Sequence, residues 1–307
     1  MRADLQGQLE ALAQRARPGL LGVAVLDLRS GRRWEVNADQ AYPMMSVFKA
    51  PVAATVLSLV DQGKLSMDKG VAITRQDIVG GSAVPSIGAR FKGERMTFPL
   101  RRLLVASVSE SDNTAADALL RVAGGAPAVT AFLREHGLTG MRVDLGEAGI
   151  GRIFQQLGPH REPPAAETPQ EETRRLQRGY RAYLADPRNR STPRAAAEFL
   201  AKLQRGELLS AASTLELLTL MEEQTVPRRL RLGLPDGVQL ADKCGTSYTL
   251  DGVTAAFNDI GMLSWPDGHR IVVAAFLTAS PASKTERDAL FAELARSVAA
   301  LHPSSGR

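Results

Sequence analysis

The chain has 307 residues, of which 44% are hydrophobic and 23% charged, a composition typical of a globular protein with about two domains or lobes. Its 38 basic and 33 acidic residues give a net charge of +5, but the basic residues are scattered and only 5% of residues are aromatic, which argues against nucleic-acid binding. The single cysteine, Cys244, excludes an intramolecular disulfide and a cysteine-rich zinc site, and no stretch approaches the ~18 apolar residues of a membrane span.

The first residues, Met1 to Leu5, lack the apolar run and the small-residue cleavage site of a signal peptide. Two explanations remain open at this point. Either the protein is cytoplasmic, or the sequence begins at a mature end behind a start methionine.

Hydrophobic periodicity and turn residues predict the elements of the N-terminal half. In chain order these are a helix over 5–16, strands over 20–28 and 33–37, a helix over 46–62, and helical patterns around 103–104 and 115–120.

The segment 140–192 differs from its surroundings because it is rich in proline, glycine and charge, with one helical pattern over 169–184. A compact domain rarely carries so long a loop without a function, so we expect this loop to border a functional site.

The C-terminal part turns from helices to strands, which are separated by turn residues such as Trp265-Pro266-Asp267-Gly268. The predicted elements are helices over 193–205 and 211–223, strands over 239–246, 255–265 and 270–278, and a last helix over 284–301.

Strands therefore lie at both ends of the chain and helices in the middle. This order predicts an α+β fold, with an antiparallel sheet built from both termini, flanked by the terminal helices, and an inserted all-helical lobe. We expect residues 1–43 and 223–307 to form the lobe with the sheet. Residues 44–222, which include the 145–192 loop, would form the helical lobe.

The first candidate for chemistry is Ser46-Val47-Phe48-Lys49, where the chain enters a buried helix. Three positions apart on a helix, Ser46 and Lys49 lie on one face. A serine hydroxyl needs an adjacent base or cation to become a good nucleophile, and Lys49 can supply either. Alone, this pattern is weak, because many surface helices contain it by chance.

Two further short motifs each have a structural and a functional interpretation. Ser111-Asp112-Asn113 caps the following helix, or it provides a proton relay at Ser111 and an orienting amide at Asn113. Lys243-Cys244-Gly245-Thr246 is a strand with an edge lysine, or a strand whose glycine lets a ligand approach the backbone.

Taken together and in this order, the three motifs are the signature of class A β-lactamases and penicillin-binding proteins. The sequence resembles that superfamily over nearly its whole length, and class A serine β-lactamases in particular. Three further segments match, the last of them like an extended-spectrum subgroup: 42–45, 188–193 and 251–261.

The resemblance implies a role for each motif residue. Ser46 would attack the lactam carbonyl, with the backbone N–H groups of Ser46 and Thr246 as the oxyanion hole, and Ser111 would protonate the departing nitrogen. Lys243 would attract the substrate carboxylate beside Ser111. The remaining substrate-binding residues that it implies are Asn113, for the acylamido side chain, Cys244, Gly245, and Arg229, for the carboxylate.

Deacylation requires a base that activates water, and the resemblance places a glutamate of the long loop in that role. The matching residue is Glu147, whose alternative interpretation is a surface loop carboxylate. Whether Lys49 or Glu147 acts in acylation stays open. We expect the other glutamates of the loop to be exposed, solvated charges: Glu162, Glu167, Glu171 and Glu172.

The sequence departs from the family pattern in the loop. Gly151 stands where an asparagine usually helps to hold the water. Leu145 and Asn189 stand where an Arg–Asp ion pair usually ties the loop. The loop is also much longer than usual, and we expect the insertion to form a flap that widens or gates the site.

Cys244 replaces the usual threonine or serine, and Lys243 beside it could lower the pKa of the thiol and make activity sensitive to thiol reagents. An inert, buried cysteine is the alternative.

The leading interpretation is thus a β-lactamase that hydrolyses penicillins and cephalosporins through an acyl-enzyme on Ser46. The alternatives are a penicillin-binding DD-peptidase or esterase and a non-catalytic penicillin receptor. We expect no cofactor and no metal, since the four histidines share no spacing. We also expect a monomer that binds a small β-lactam and neither nucleic acid nor membrane, located in the periplasm or secreted because its substrate lies outside the cytoplasm.

Overall fold

A computed structural model describes residues 4–157, 166–226 and 229–302. Its helices are α1 (Leu5–Arg15), α2 (Lys49–Asp61), α3 (Leu100–Val108), α4 (Asn113–Val122), α5 (Ala126–Glu135), α6 (Glu147–Gln155), α7 (Pro169–Ala185), α8 (Pro193–Gln204), α9 (Ala211–Glu222) and α10 (Lys284–Ala299). Its strands are β1 (Leu20–Asp27), β2 (Arg33–Val36), β3 (Tyr42–Pro43), β4 (Gly70–Thr74), β5 (Arg95–Pro99), β6 (Arg190–Ser191), β7 (Gln239–Thr246), β8 (Thr249–Leu250), β9 (Val253–Ser264) and β10 (Arg270–Ser280).

The main sheet joins the two ends of the chain. Its strand order is β2-β1-β10-β9-β7, with β8 paired to β9, and the neighbouring strands are antiparallel. In the register, Val25 of the first hairpin lies opposite Val273 of the last, and Gly245 of β7 lies opposite Asn258 of β9. The predicted antiparallel sheet and the α+β class are therefore confirmed.

The sheet is buried on both faces, which its strands achieve by alternating side chains between two apolar cores. In β1, Leu21, Val23 and Val25 belong to one core, and Ala24 and Leu26 to the other. Each buried aliphatic side chain of this size contributes about 1.5–3 kcal/mol through burial. Strand β1 is consequently almost uniformly apolar, as the sequence suggested.

The first core packs α1 and α10 on one face of the sheet, through residues such as Leu9 and Phe291. Both helices begin with a polar side chain that accepts a free backbone N–H: Asp4 for α1, and Ser283 in a capping box for α10. The second core continues from the other face of the sheet, through α8, into the helices between α2 and α9.

The chain elements differ from prediction mainly between residues 45 and 155. Met45–Phe48 form a 3₁₀ turn, and the α-helix begins only at Lys49. Helix α5 and the β4–β5 hairpin were not predicted. Nor was α6, whose two glycines, Gly149 and Gly151, weaken the helical pattern.

Among the described residues, no single helix has the length and apolar character to cross a membrane. Helices α4 and α5, bent by 70° at their junction, meet that test only as a pair and only by length and composition.

Candidate active site

The predicted nucleophile lies in a tight turn at the start of α2. Ser46 belongs to the 3₁₀ turn, Met45 before it has a left-handed φ of 46°, and Lys49 is the first residue of the α-helix. Strand β7 packs directly against this turn at Gly245. A Cβ at Gly245 would lie 2.4 Å from the Met44 carbonyl oxygen, so a larger residue would push the strand away from Ser46.

Lys49 is completely buried, and its ammonium group is surrounded by oxygen atoms. Its Nζ lies 3.0 Å from Glu147 Oε1 and donates to Asn113 Oδ1 at 2.7 Å and to the Ser111 carbonyl at 2.8 Å. A buried cation is tolerated only when paired and hydrogen-bonded in this way. The same contacts bring three sequence motifs to one point.

Ser111 lies between the two lysines of the site. Its Oγ accepts from Lys49 Nζ at 3.3 Å and from Lys243 Nζ at 3.1 Å. The residue is buried and has a left-handed φ of 56°, an uncommon conformation for a residue with a side chain, which holds its hydroxyl between α2 and β7. Asp112 next to it supplies the predicted helix cap by accepting from Ala115 N at 2.8 Å.

Glu147 is the first residue of α6 and is 7% exposed. Its Oε1 accepts a hydrogen bond from Ser46 Oγ at 3.0 Å and lies at the same distance from Lys49 Nζ. The side chains of residues 46, 49 and 147 therefore converge on one point, although Glu147 lies about 100 positions from the other two in sequence. The peptide bond between Glu147 and Ala148 is trans.

Asp117, on α4, is a site residue that sequence reasoning missed. Its carboxylate accepts from Glu147 N at 2.6 Å and Ala148 N at 3.0 Å, and so caps the helix that carries Glu147. Burial, and next to it the Glu147 charge, raises the pKa of Asp117 to about 6, against the two N–H bonds that lower it. The local cap position, Gly146, offers no side chain, so no nearby sequence signal marks this helix start.

The ends of the long loop are tied by a neutral amide instead of the ion pair that is missing. Asn189 Oδ1 accepts from the backbone N–H groups of Asp144 (2.7 Å) and Leu145 (2.8 Å), and its Nδ2 donates to the Leu145 carbonyl at 2.9 Å. Asn189 N in turn donates to Asp144 Oδ2 at 2.9 Å. The absence of both charged partners therefore does not leave the loop untied.

The insertion forms a helix packed against the core. Gly179 of α7 lies so close to α6 that a Cβ there would meet the Phe154 carbonyl oxygen at 1.9 Å. Tyr180 Oη donates to the Val253 carbonyl at 2.5 Å, and Tyr183 Oη donates to Met45 Sδ at 2.8 Å. Helix α7 thus contacts α6, β9 and the nucleophile turn.

The glutamates of this segment are not equivalent, and one expectation was wrong. Glu167 is partly buried in an ion pair with Arg175 at 2.7 Å, and is therefore not a freely solvated charge. Glu171 and Glu172 are exposed, and Glu171 completes the capping box of α7. Glu162 lies outside the described residues.

A cavity of about 1020 Å³ opens over these groups. Of the predicted site residues, it is lined by Ser46, Asn113, Glu147 and Thr246, together with the unpredicted Asp117. Its outer part runs along α6 to Leu176 of α7 and to Tyr248, an aromatic side chain that is 44% exposed. Lys49, Ser111 and Lys243 lie beneath its surface, in hydrogen-bond contact with the lining groups.

Three further predicted residues surround β7. Arg229 is buried, lies over the Phe257 ring at 4.0 Å, and donates to Thr246 Oγ1, but it does not line the cavity. Cys244 is 3% exposed and also does not line it, so its burial favours the interpretation as an inert thiol. The neighbouring Arg228 lies outside the described residues.

Among the described residues, no group of three or more histidine, cysteine, aspartate and glutamate side chains could hold a metal ion. His269 lies 2.9 Å from Asp27 at the far end of the sheet, and His136 hydrogen-bonds to the Phe132 carbonyl. His160 is not among the described residues.

Comparison with known proteins shows to which family the chain is similar. The “Beta-lactamase enzyme family” profile matches residues 4–301. The chain is 31% identical over 293 residues to the extended-spectrum β-lactamase PER-1 of Pseudomonas aeruginosa, covering 95% of this chain and 85% of that protein. It is 34% identical over 289 residues to β-lactamase L2 of Stenotrophomonas maltophilia, covering 93% and 82%.

Solved structures agree with these relatives. A β-lactamase from Chitinophaga pinensis DSM 2588 has a TM-score of 0.81 at 30% identity, covering 97% of this chain and 98% of that one. An ancestral class A β-lactamase has a TM-score of 0.77 at 34% identity, covering 97% and 100%. The resemblance to class A β-lactamases is thereby confirmed, and the chain belongs to the β-lactamase enzyme family.

Proposed function

We propose that the protein hydrolyses the amide bond of penicillins and cephalosporins through an acyl-enzyme on Ser46. The observation that carries this proposal is the convergence of Ser46, Lys49 and Glu147 within 3.0 Å contacts at a cavity large enough for a β-lactam. The reaction needs no cofactor in this scheme.

In the acylation step, Ser46 Oγ bonds to the lactam carbonyl carbon and its proton passes to a base. The direct hydrogen bond from Ser46 Oγ to Glu147 favours Glu147 as that base, with Lys49 acting as the cation that stabilises the developing charge. Backbone N–H groups of Ser46 and Thr246 would receive the oxyanion, each contributing about 3–4 kcal/mol to its stabilisation.

Breakage of the C–N bond requires a proton for the departing nitrogen. Ser111 is suited to this role because its oxygen accepts from two lysines, which stabilise the negative charge left when its own proton departs. Lys49 or Lys243 then returns a proton to Ser111.

Deacylation uses Glu147 a second time. Once Ser46 is esterified, its oxygen no longer donates to Glu147, and that carboxylate can accept a proton from a water molecule attacking the ester. The bond between Ser46 Oγ and the acyl carbon breaks, and Ser46 regains its proton. Gly151 offers no side chain to help hold this water, so the water is held more weakly or by other groups of the site.

Substrate binding would involve the residues around the cavity mouth. Asn113 lines the cavity, although its Oδ1 and Nδ2 already bond to Lys49 and to the Gly80 carbonyl, so an acylamido group would have to compete for or share them. Arg229 would act on the substrate carboxylate through Thr246. Gly245 and Cys244 would shape β7 without contributing charge.

Three further features belong to this proposal. Residues 1–43 and 223–307 would form the sheet lobe and residues 44–222 the helical lobe, with the site between them. The enzyme would act as a monomer, and it would be periplasmic or secreted, because β-lactams act on targets outside the cytoplasm.

Steady-state hydrolysis of a chromogenic cephalosporin tests the proposal. We expect many turnovers per enzyme molecule, with a covalent adduct on Ser46 detectable by mass spectrometry. A single stoichiometric burst would instead indicate a penicillin-binding peptidase, an esterase or a receptor, which Glu147 beside Ser46 does not favour.

A further inference from the structure

The two buried lysines of the site have different partners. Both side chains are completely buried. Lys49 lies 3.0 Å from the Glu147 carboxylate, so its charge is paired. Within the described chain, the acceptors of Lys243 Nζ are all neutral: Ser111 Oγ and Gln224 Oε1, each at 3.1 Å, and the Cys244 carbonyl at 3.3 Å.

Gln224, just after α9, is the acceptor with a fixed orientation. Its Nε2 donates to the Asp242 carbonyl at 2.9 Å and to Asp242 Oδ2 at 3.0 Å. Because an amide nitrogen cannot accept and an amide oxygen cannot donate, these bonds direct Oε1 towards Lys243. The amide therefore has a single orientation that satisfies all three contacts.

The carboxylate behind Gln224 is itself paired. Arg231 contacts Asp242 Oδ1 through Nε at 2.8 Å and through its terminal nitrogen at 2.6 Å. A row of hydrogen-bonded side chains therefore runs from Arg231 through Asp242 to Gln224. It ends at Gln224 Oε1, a neutral oxygen that accepts from Lys243 Nζ. The charge of Asp242 is matched by Arg231, which leaves the positive charge of Lys243 without a carboxylate of its own.

The burial of the Lys243 ammonium group changes its pKa. Burial lowers the pKa of Lys243 to about 8, with a smaller lowering from the nearby Lys49 charge, whereas Cys244, Asp242 and Asp259 act in the opposite direction. Lys243 is consequently charged at neutral pH, and each acceptor on its Nζ helps to keep it so.

We propose that Gln224 is a positioning residue that holds the Lys243 ammonium against Ser111 while leaving its positive charge free to attract the carboxylate of an anionic β-lactam. This inference rests on the proposed function. A carboxylate at position 224 would also accept from Lys243, but it could not donate to Asp242 and would cancel the charge that the substrate needs, which is why a neutral amide suits this position.

The test compares Gln224→Met with the unaltered enzyme, using benzylpenicillin and its methyl ester, which lacks the carboxylate. Removing the acceptor lowers the pKa of Lys243, so the alkaline limb of kcat/KM for benzylpenicillin moves down by about one pH unit, mainly through KM. KM for the ester shows no such movement, because the ester has no carboxylate for Lys243 to attract. Exposed Gln62, the residue that caps the C-terminal end of α2, provides the control variant, Gln62→Met, with no change for either substrate.

A second variant keeps the test decisive if the first does not fold, as judged by a thermal melt. In Gln224→Glu the new carboxylate pairs with Lys243, because Asp242 already has Arg231 as its partner. KM for benzylpenicillin at pH 7 then rises about tenfold while that for the ester is unchanged. If the folded variants treat acid and ester alike, the inference is overturned. An unaltered enzyme that turns over neither substrate would overturn the proposed function instead.

Discussion

The nucleophile side of the site (Ser46, Lys49 and Ser111) and the loop side (Glu147 and Asn189) are built in different ways. On the nucleophile side, buried groups bond directly to one another: Lys49 Nζ donates to the Ser111 carbonyl and to its Oγ, and Lys243 Nζ donates to the same Oγ. On the loop side, the Glu147 carboxylate contacts Ser46 and Lys49, but its helix is held in place by backbone bonds to Asp117. The loop is closed by the amide of Asn189.

This difference indicates which side of the site tolerates changes in sequence. Charged contacts between regular elements tolerate little change, because removing one partner leaves an uncompensated buried charge. A loop tied by backbone hydrogen bonds can exchange an ion pair for an amide and accept a long insertion, as this chain does. We therefore expect changes on the loop side to alter deacylation and substrate range before they abolish acylation.

The largest effect is expected on the nucleophile side. Ser46→Ala removes the attacking oxygen, so turnover should fall by about 10⁶-fold and no covalent adduct should form. Hydrolysis of a chromogenic cephalosporin and mass spectrometry of the mixture measure both. Ser58→Ala, on the helix α2 that follows the nucleophile turn, is the control and should keep full activity; an adduct on the Ser46→Ala protein would show that another residue is the nucleophile.

On the loop side, Glu147→Ala should slow deacylation by about 10³-fold because the base for water is lost. Acylation should slow less, because Lys49, no longer paired with a carboxylate, can take the Ser46 proton instead. The acyl-enzyme should then accumulate, visible as a burst followed by a slow phase and as a mass increase on the protein. Glu172→Ala, at an exposed glutamate, should behave like the unaltered enzyme. Hydrolysis at the original rate after Glu147→Ala would contradict the role assigned to this residue.

A smaller effect is expected at Asp117, which acts on Glu147 through the backbone. Asp117→Ala removes both acceptors at the start of α6 and should lower the free energy of unfolding by about 1 kcal/mol and slow deacylation more than acylation. Pre-steady-state kinetics separate the two steps.

The pH dependence gives an independent readout of the same residue. Because the raised pKa of Asp117 is about 6, the carboxylate that accepts both N–H bonds is present above that pH and is lost as the pH falls below it. Deacylation should therefore slow below about pH 6 in the unaltered enzyme. An acid limb that is identical in Asp117→Ala would count against this explanation.

The smallest effect is expected for a substitution in α7, the helix formed by the insertion. Leu176→Trp narrows the outer cavity and should lower kcat/KM by about tenfold for β-lactams with bulky acyl side chains, with little change for small ones. Arg174→Ala, at an exposed position on the same helix, is the control. Equal kcat/KM across the series would show that α7 does not touch the substrate.

Much of the fold was predictable because its signals are local. The strands that became β9 and β10 were marked by apolar runs on either side of the Trp265–Gly268 turn. By contrast, the cap of α6 comes from Asp117, thirty positions earlier and on another helix. No window around residue 147 contains that information, so this helix was predicted as loop.

The site residues also divide into those that short motifs predict and those that only the folded chain reveals. Ser46, Lys49, Ser111 and Lys243 stand in short motifs whose spacing is visible along the chain. Gln224 carries no motif, and its importance follows only from the side chains of Asp242 and Lys243 that meet it.

The amino-acid sequence by itself determined the alternation of apolar residues that builds the sheet. It also determined the order of the short motifs and hence the type of chemistry. Both the alternation and each motif can be recognised from residues a few positions apart. Only the tertiary structure decided that Asn189 closes the loop, that α7 packs against α6, and which of the two buried lysines contacts a carboxylate. Those outcomes depend on distances between atoms far apart in the chain, and such distances exist only once the backbone is folded.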